Sequence, residues 1–425
     1  MLSCRLCTRI KAVLAVSTLT LLASITPAAA QQETVLHSFP SSTKDGYEPF
    51  DTLIMDAAGN LYGTASYSAT GCPQQFFCGI VFELMPAAGG GWTEKILHTF
   101  GKGTDGNSPY SGLIFDEAGN LYGTTAGGGT LGAGTVFELS PKAGGIWTEK
   151  ILHNFSSNGI DGVSPEGTLV FDAAGNLYGT TLAGGSHFQG AVFELTHSAA
   201  GGWIEKILHN FNDNGVDGVE PQAGLIFDSA GNLYGTTPDG GAYGYGTTFM
   251  LKHSAGGGWT EKNLHNFNDD GTDGNVPLGS LIFDASGNLY GTTWIGGVNN
   301  YGTVYKLTLT AGGSWNETVL YNFGQNPIGD GVHPAAAVIF DAAGNLYGTT
   351  LYGGAPYNEG TVFELMPSGG NWTETLLYSF GASLDGTTPY SGLVFDKSGH
   401  LYGTTYMGGS DATGQVGGTV FEITP

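Results

Sequence analysis

The tripeptide Leu-Tyr-Gly occurs seven times, starting at Leu61, Leu121, Leu177, Leu233, Leu289, Leu346 and Leu401. The steps between copies are 60, 56, 56, 56, 57 and 55 residues. Such a period confines the chain to folds that repeat one supersecondary unit many times. Every copy has the same frame. An Asp-Gly-x-x-Pro segment comes first, from Asp45 to Pro49 in the first copy and from Asp385 to Pro389 in the last. An apolar run ending in Asp follows, such as Gly224-Leu225-Ile226-Phe227-Asp228 (a). A short turn leads to Leu233-Tyr234-Gly235-Thr236-Thr237 (b). A Gly-Gly loop then precedes a segment such as Val136-Phe137-Glu138-Leu139 (c), and a Gly cluster precedes one such as Trp147 to Phe155 (d).

Each repeat thus holds four strand-length segments separated by turn residues, and no stretch sustains a helical period. Glycine, 73 of 425 residues, supplies the turns, while 40% hydrophobic residues exclude a disordered linker. Four antiparallel strands repeated at this interval predict an all-β fold, a seven-bladed β-propeller of four-stranded blades. A linear β-solenoid is the competing fold, but its coils are usually shorter and need end caps. The chain opens on a d-like strand, Glu33 to Phe39, and stops after a c-like strand, Val420 to Ile423. The N-terminal strand is therefore expected to complete the last blade and close the ring, making residues 31–425 one domain.

The frame "FDxxGNLYGTTxxGG…GTVFEL" resembles the tandem GloVer repeat of bacterial extracellular proteins, named for Gloeobacter and Verrucomicrobia and often called choice-of-anchor proteins. The resemblance covers essentially all of residues 33–425. It implies a repeat architecture on an exported protein and no particular reaction. Family members often carry a C-terminal sorting segment, and no such segment is seen here. The a–b–c pattern is similar, more loosely, to NHL-type propeller repeats.

The first 30 residues read as a secretory signal. Arg5, Arg9 and Lys11 precede an apolar run from Ala12 to Ile25, and Ala28-Ala29-Ala30 offers a cleavage site before Gln31. A secreted or periplasmic protein without membrane insertion is expected. Cleavage removes three basic residues and takes the formal charge from -24 to -27. It also removes both arginines, which argues against a nucleic-acid partner. In an oxidising compartment, Cys72 and Cys78 are expected to form one loop disulfide.

Residues present in every copy are read as structural. The Asp of each Asp-Gly pair caps a turn. The d-strand histidines, His37, His98, His153, His209 and His265, stand where Tyr321 and Tyr378 occur in other copies, which fits packing with a polar tip. No nucleophile elbow, zinc-protease or phosphate-loop motif is present. Gly127 to Gly132 matches GxGxxG but lies between strands, where no dinucleotide site forms. The loops carrying Asp213 and Asp217, and Asp269 and Asp273, are rich enough in oxygen to hold Ca²⁺, although the plainer reading is a polar turn. No other cofactor is indicated.

Departures from the frame gather in the b-to-c loops, which open on the same face as the Asp-Gly loops. They supply the candidate binding residues Trp294, Tyr243, Tyr245, Tyr301, His187, Phe188 and Tyr357. Exposed aromatics among Asn and Asp stack on sugars or anchor protein partners. The sequence therefore predicts a secreted, monomeric, non-catalytic binding module for a glycan or extracellular protein. The alternatives are an extracellular propeller enzyme of lactonase, lyase or glycosidase type, for which His333 and His187 would be the available histidines, and a purely structural or adhesive surface protein.

Overall fold

The computed structural model describes residues 32–40, 45–68, 78–254, 256–325, 329–382, 384–409 and 417–424. Among them are seven four-stranded antiparallel sheets, each in the order a-b-c-d, and they form the blades of a seven-bladed β-propeller. Blade 2 is representative, with a at Ile114–Phe115, b at Leu121–Thr125, c at Thr135–Lys142 and d at Ile146–Asn154. The b and c strands are buried over nearly their whole length, while d alternates between exposed and partly buried residues. Strand a lies toward the channel and d toward the rim.

Strand a is shorter than the apolar run predicts. Only two residues per blade pair with b, such as Ile226 with Tyr234 and Phe227 with Leu233. The preceding residues turn their backbone groups to neighbouring blades. Thr180 Oγ1 donates to the Ala223 carbonyl at 2.9 Å, and the Gly224 N–H donates to Ser280 Oγ at 3.0 Å. The first Thr of Leu-Tyr-Gly-Thr bonds across the blade boundary in this way from Thr64 through Thr349.

The core lies between blades. Phe193 of blade 3 packs with Tyr122 and Leu152 of blade 2 and with Phe155, the residue that follows strand d of blade 2. Phe155 meets Phe193 edge-on, with centroids 5.1 Å apart. The glycine of Leu-Tyr-Gly makes room for this ring, because a Cβ on Gly179 would stand 2.7 Å from Phe193 Cζ. Such sites tolerate no added methyl without displacement of the ring.

The ring closes as expected. Gln32–Ser38 pairs antiparallel with Thr419–Thr424, with Val35 opposite Phe421, and becomes strand d of the last blade. Phe39, 1% exposed, joins Leu53 and Phe82 of blade 1 to Tyr402 and Val420 of blade 7. Phe39→Ala should therefore destabilise the protein by about 3–5 kcal/mol, the usual cost of a Phe truncation in a core. Removing residues 32–39 should lower the melting temperature further. Calorimetry that finds the shortened chain melting with the intact one would disprove closure by this strand.

Candidate binding surface at the channel mouth

The path from d into a shapes one face of the ring. Short strand pairs such as Gly218–Val219 with Asp239–Gly240 tie each Asp-Gly loop to the b-to-c loop of its own blade, so both open on the same side. The residue before each Pro is left-handed: Glu48, Ser108, Ser164, Glu220, Val276, His333 and Thr388 have φ between 55° and 62°. Non-glycine residues hold this conformation only where their surroundings over-determine it. Here backbone bonds do so. Val276 N–H donates to the Tyr245 carbonyl of the previous blade, and the Val276 carbonyl accepts from Trp294 N–H, both at 3.0 Å.

With the backbone fixed, the residue after each Pro faces the channel. These residues are Phe50, Tyr110, Glu166, Gln222, Leu278, Ala335 and Tyr390, and all seven line one cavity of about 90 Å³. The Pro never changes, yet this neighbour differs in most blades. The position was not among the sequence candidates, although its variation inside a strict frame was a legible signal.

The lining is lopsided. Phe50 stacks on Tyr390 with centroids 4.2 Å apart, and its edge meets Tyr110 at 5.4 Å and Tyr406 at 6.0 Å. Tyr67 and Tyr110 share a hydroxyl hydrogen bond of 2.8 Å, and Tyr406 Oη donates to Glu48 Oε2 at 2.7 Å. Glu166 lies beside this aromatic arc, and burial pushes its carboxyl up to about 7. Asp51, deeper in the channel, accepts from the N–H groups of Thr52 and Gly112 and from Thr168 Oγ1.

Of the sequence candidates, Trp294 reaches this mouth. It lines a second cavity of about 310 Å³ with Leu278, Leu351, Tyr352, Gln222 and Tyr390, and the last two residues and Leu278 are shared with the channel. Trp294 is half-buried, and its indole N–H is buried without a hydrogen-bond partner. His333 Nδ1 lies 2.9 Å from the Trp294 carbonyl, and the His333 ring is flanked by those of Trp294, Tyr301 and Tyr352 at 5.6, 5.7 and 6.0 Å.

The other candidates line neither of these cavities: Tyr301 shares the loop of Trp294, and the rest lie on three other blades. Tyr301 and Tyr357 cover Gly324 and Gly381 in the loops that lead from their own d strands into the next blade, and Phe188, 65% exposed, lies beside Gly159. His187 is exposed next to Phe188. Tyr243 lies near His265 and Asp273, and Tyr245 supplies the carbonyl that pins Val276. Part of this aromatic set therefore roofs the loops. Cys78 is disulfide-bonded, while Cys72 and the residues read as a signal, 1–30, lie outside the described residues.

Three of the four aspartates proposed for calcium have protein partners. Asp217 Oδ2 is 3.0 Å from His209 Nε2 and accepts from Asn212 N–H, and Asp273 repeats this with His265 and Asn268. Asp213 is exposed, and Asp269 accepts only a long contact from Asn275. Each Asp-Gly aspartate instead belongs to a belt between blades, with the His or Tyr of the preceding blade's d strand and a Glu from the d strand of its own blade. His98, Asp105 and Glu149, and His153, Asp161 and Glu205, come close enough to share a cation. The same arrangement built on Tyr321, Asp330 and Glu374 has a phenol in place of the imidazole, so the belt serves packing in all blades.

The fold and mouth define a β-propeller whose repeated residues build the ring and whose varied residues surround its axis. The chain belongs to the Gloeobacter/Verrucomicrobia repeat family, whose model matches residues 20–170, 65–284, 147–327 and 262–425. No curated protein matches it in sequence. In structure it resembles the extracellular domain of a protein described as a one-component system of B. thetaiotaomicron, with 15% identity, a TM-score of 0.54, and 93% of this chain against 42% of that one covered. A second likeness, at 14% identity and a TM-score of 0.49, is to PorZ, a surface component of the type-IX secretion system of Porphyromonas gingivalis, covering 91% and 47%. A third, at 11% identity and a TM-score of 0.48, is to a Bacteroides uniformis protein described as a 6-phosphogluconolactonase, covering 88% and 100%. The chain spans less than half the length of the first two. At these identities the likeness is one of fold. Among the described residues, no helix is long and apolar enough to cross a membrane.

The belt makes stability depend on pH. Burial, with the neighbouring aspartate adding to it, raises Glu33 and Glu94 to about 8, Glu149 to about 9, and Glu205, Glu261 and Glu317 to about 7. The folded groups hold protons that the unfolded chain releases above about 4.5. Their stabilisation is thus complete below that pH and is lost as pH rises through 7 to 9. Melting temperature should fall steadily from pH 5 to pH 9, and Glu149→Gln should reduce the slope. A melting temperature constant across that range would show that the belt is ionised in the folded state.

Proposed function

We propose that this protein is an exported, non-catalytic module that binds a glycan across the channel mouth. One observation carries the reading. In blades that otherwise repeat nearly residue for residue, the positions facing the mouth are those that vary, and they place Phe50, Tyr390, Trp294 and Tyr352 beside Gln222 and Glu166. A fold needs its parts in every blade, whereas a ligand needs one constellation. Flat rings next to amide and carboxyl groups match a sugar, which offers an apolar face for stacking and hydroxyls at its edge. The unpartnered indole N–H of Trp294 awaits an acceptor such as a hydroxyl oxygen. The signal-like residues 1–30 and the absence of arginine after them fit work outside the cell on a ligand that is not a nucleic acid.

The test is a broad glycan array followed by titrations monitored through tryptophan fluorescence. Trp294→Ala and Phe50→Ala should each weaken binding at least tenfold. Trp294→Ala should cost on the order of 1 kcal/mol of stability, the typical effect of a point substitution, because the ring is only half-buried. An array without hits, or affinities that survive both substitutions, would overturn the assignment.

A further inference from the structure

The structure assigns a more specific role to Glu166: we propose that the glycan carries a protonated amino group, and that this ammonium enters the channel mouth between the Glu166 carboxylate and the rings of Phe50, Tyr110 and Tyr390. The inference rests on the glycan reading and names the sugar class.

Glu166 is half-buried, and among the described residues no hydrogen-bond donor or cation pairs with it. Asp51, the other channel carboxylate, is already satisfied by Thr52, Gly112 and Thr168. No Lys, Arg or His lines this cavity. No charge of the described residues is set against Glu166, so a cationic ligand can supply one, and a partly buried carboxylate interacts with a cation more strongly than an exposed one. The three aromatic neighbours favour an ammonium over a metal ion. Their faces attract organic cations, whereas Ca²⁺ and Mg²⁺ require a shell of oxygens that these rings cannot supply. Size agrees with chemistry. A cavity of about 90 Å³ accepts an ammonium tip but not a pyranose ring, whereas the adjoining space beside Trp294, about 310 Å³, has room for the ring itself. Gln222, Leu278 and Tyr390 border both spaces, so an amine in one and its sugar in the other form a single continuous ligand. The strong negative charge of the chain draws such a cation toward the protein.

Binding should also move a proton. Burial holds the empty Glu166 carboxyl near 7, with Asp51, Tyr110 and Tyr390 as the other titratable groups lining the cavity. An ammonium beside it lowers that value, so complex formation near neutral pH releases protons in proportion to the protonated fraction.

The experiment is calorimetric titration with three tetrasaccharides that share a β-1,4 backbone: the glucosamine tetramer, its fully N-acetylated form, and the glucose tetramer. Titrations are run in two buffers of different ionisation enthalpy, with a lysine-rich peptide as a fourth probe. The glucosamine tetramer should bind at least tenfold more tightly than the two neutral sugars and release protons. Glu166→Gln should bring its affinity to within about twofold of theirs and abolish the release, while the variant melts no lower than the parent. Equal affinity for all three sugars, or a preference that survives Glu166→Gln, would overturn the amine assignment and leave the glycan reading standing. Binding of the peptide with none of the sugars would overturn the sugar class. Silence with every probe would overturn this proposal, and the glycan array, which needs no charged sugar, decides the broader reading separately.

Discussion

The structure depends on how a ring from one blade is received by the next. In each repeat the c-strand aromatic (Phe82, Phe137, Phe193, Phe249, Tyr305, Phe363 or Phe421) is fully buried and lies over the glycine of Leu-Tyr-Gly. It meets the phenylalanine after strand d of the preceding blade edge-on, with centroids 5.0 to 5.2 Å apart. Edge-to-face packing fixes both distance and tilt. A contact of fixed tilt, applied at every boundary, sets the angle between blades. That explains why the glycine, the aromatic and the phenylalanine recur without fail while the residues at the mouth are free to differ.

The same logic governs what could be read from the sequence. Blade number, strand order and the closing strand follow from periodicity alone, because each copy reports the same contacts and errors in one copy are corrected by the others. Strand a was read as too long. Its apolar residues signal burial, but burial says nothing of whether the backbone bonds to its own sheet or, as at Ala223 and Gly224, to a neighbouring blade. The mouth was only partly legible. Trp294 stood out because tryptophan there breaks the frame. Phe50 and Tyr390 did not, since they lie 340 positions apart and meet only when the ring closes.

Repetition also separates residues that look functional but serve every blade from those that packing does not explain. The belt of His, Asp and Glu has the composition of a metal site. Yet Tyr321 and Tyr378 take the histidine position without altering the arrangement, and Tyr378 Oη still donates to Asp385 at 2.9 Å. The hydrogen-bonded wedge is kept when a phenol replaces the imidazole, so the arrangement itself does not require a metal ligand. Glu166 presents the reverse case. Its counterparts in other blades are Phe, Tyr, Gln, Leu and Ala, so no shared packing requirement explains a carboxyl there.

Charge strengthens this contrast. A chain with so few cations cannot pair all its carboxyl groups internally, and it deals with them in three ways. The a-to-b turn aspartates, such as Asp116 and Asp228, are partly buried, but hydrogen bonds from the following Asn and Tyr outweigh burial and hold them below the usual range. The belt glutamates keep their protons, sheltered between blades beside an aspartate. Glu166 has neither a cluster of donors nor a partner acid, and burial alone raises it. An unpaired carboxyl at the opening of a channel is costly for the empty protein and becomes favourable once a cation arrives. On the proposed reading, the difference between the free and the bound protein is therefore concentrated at that one residue, in the cavity lined by the varied positions of all seven blades.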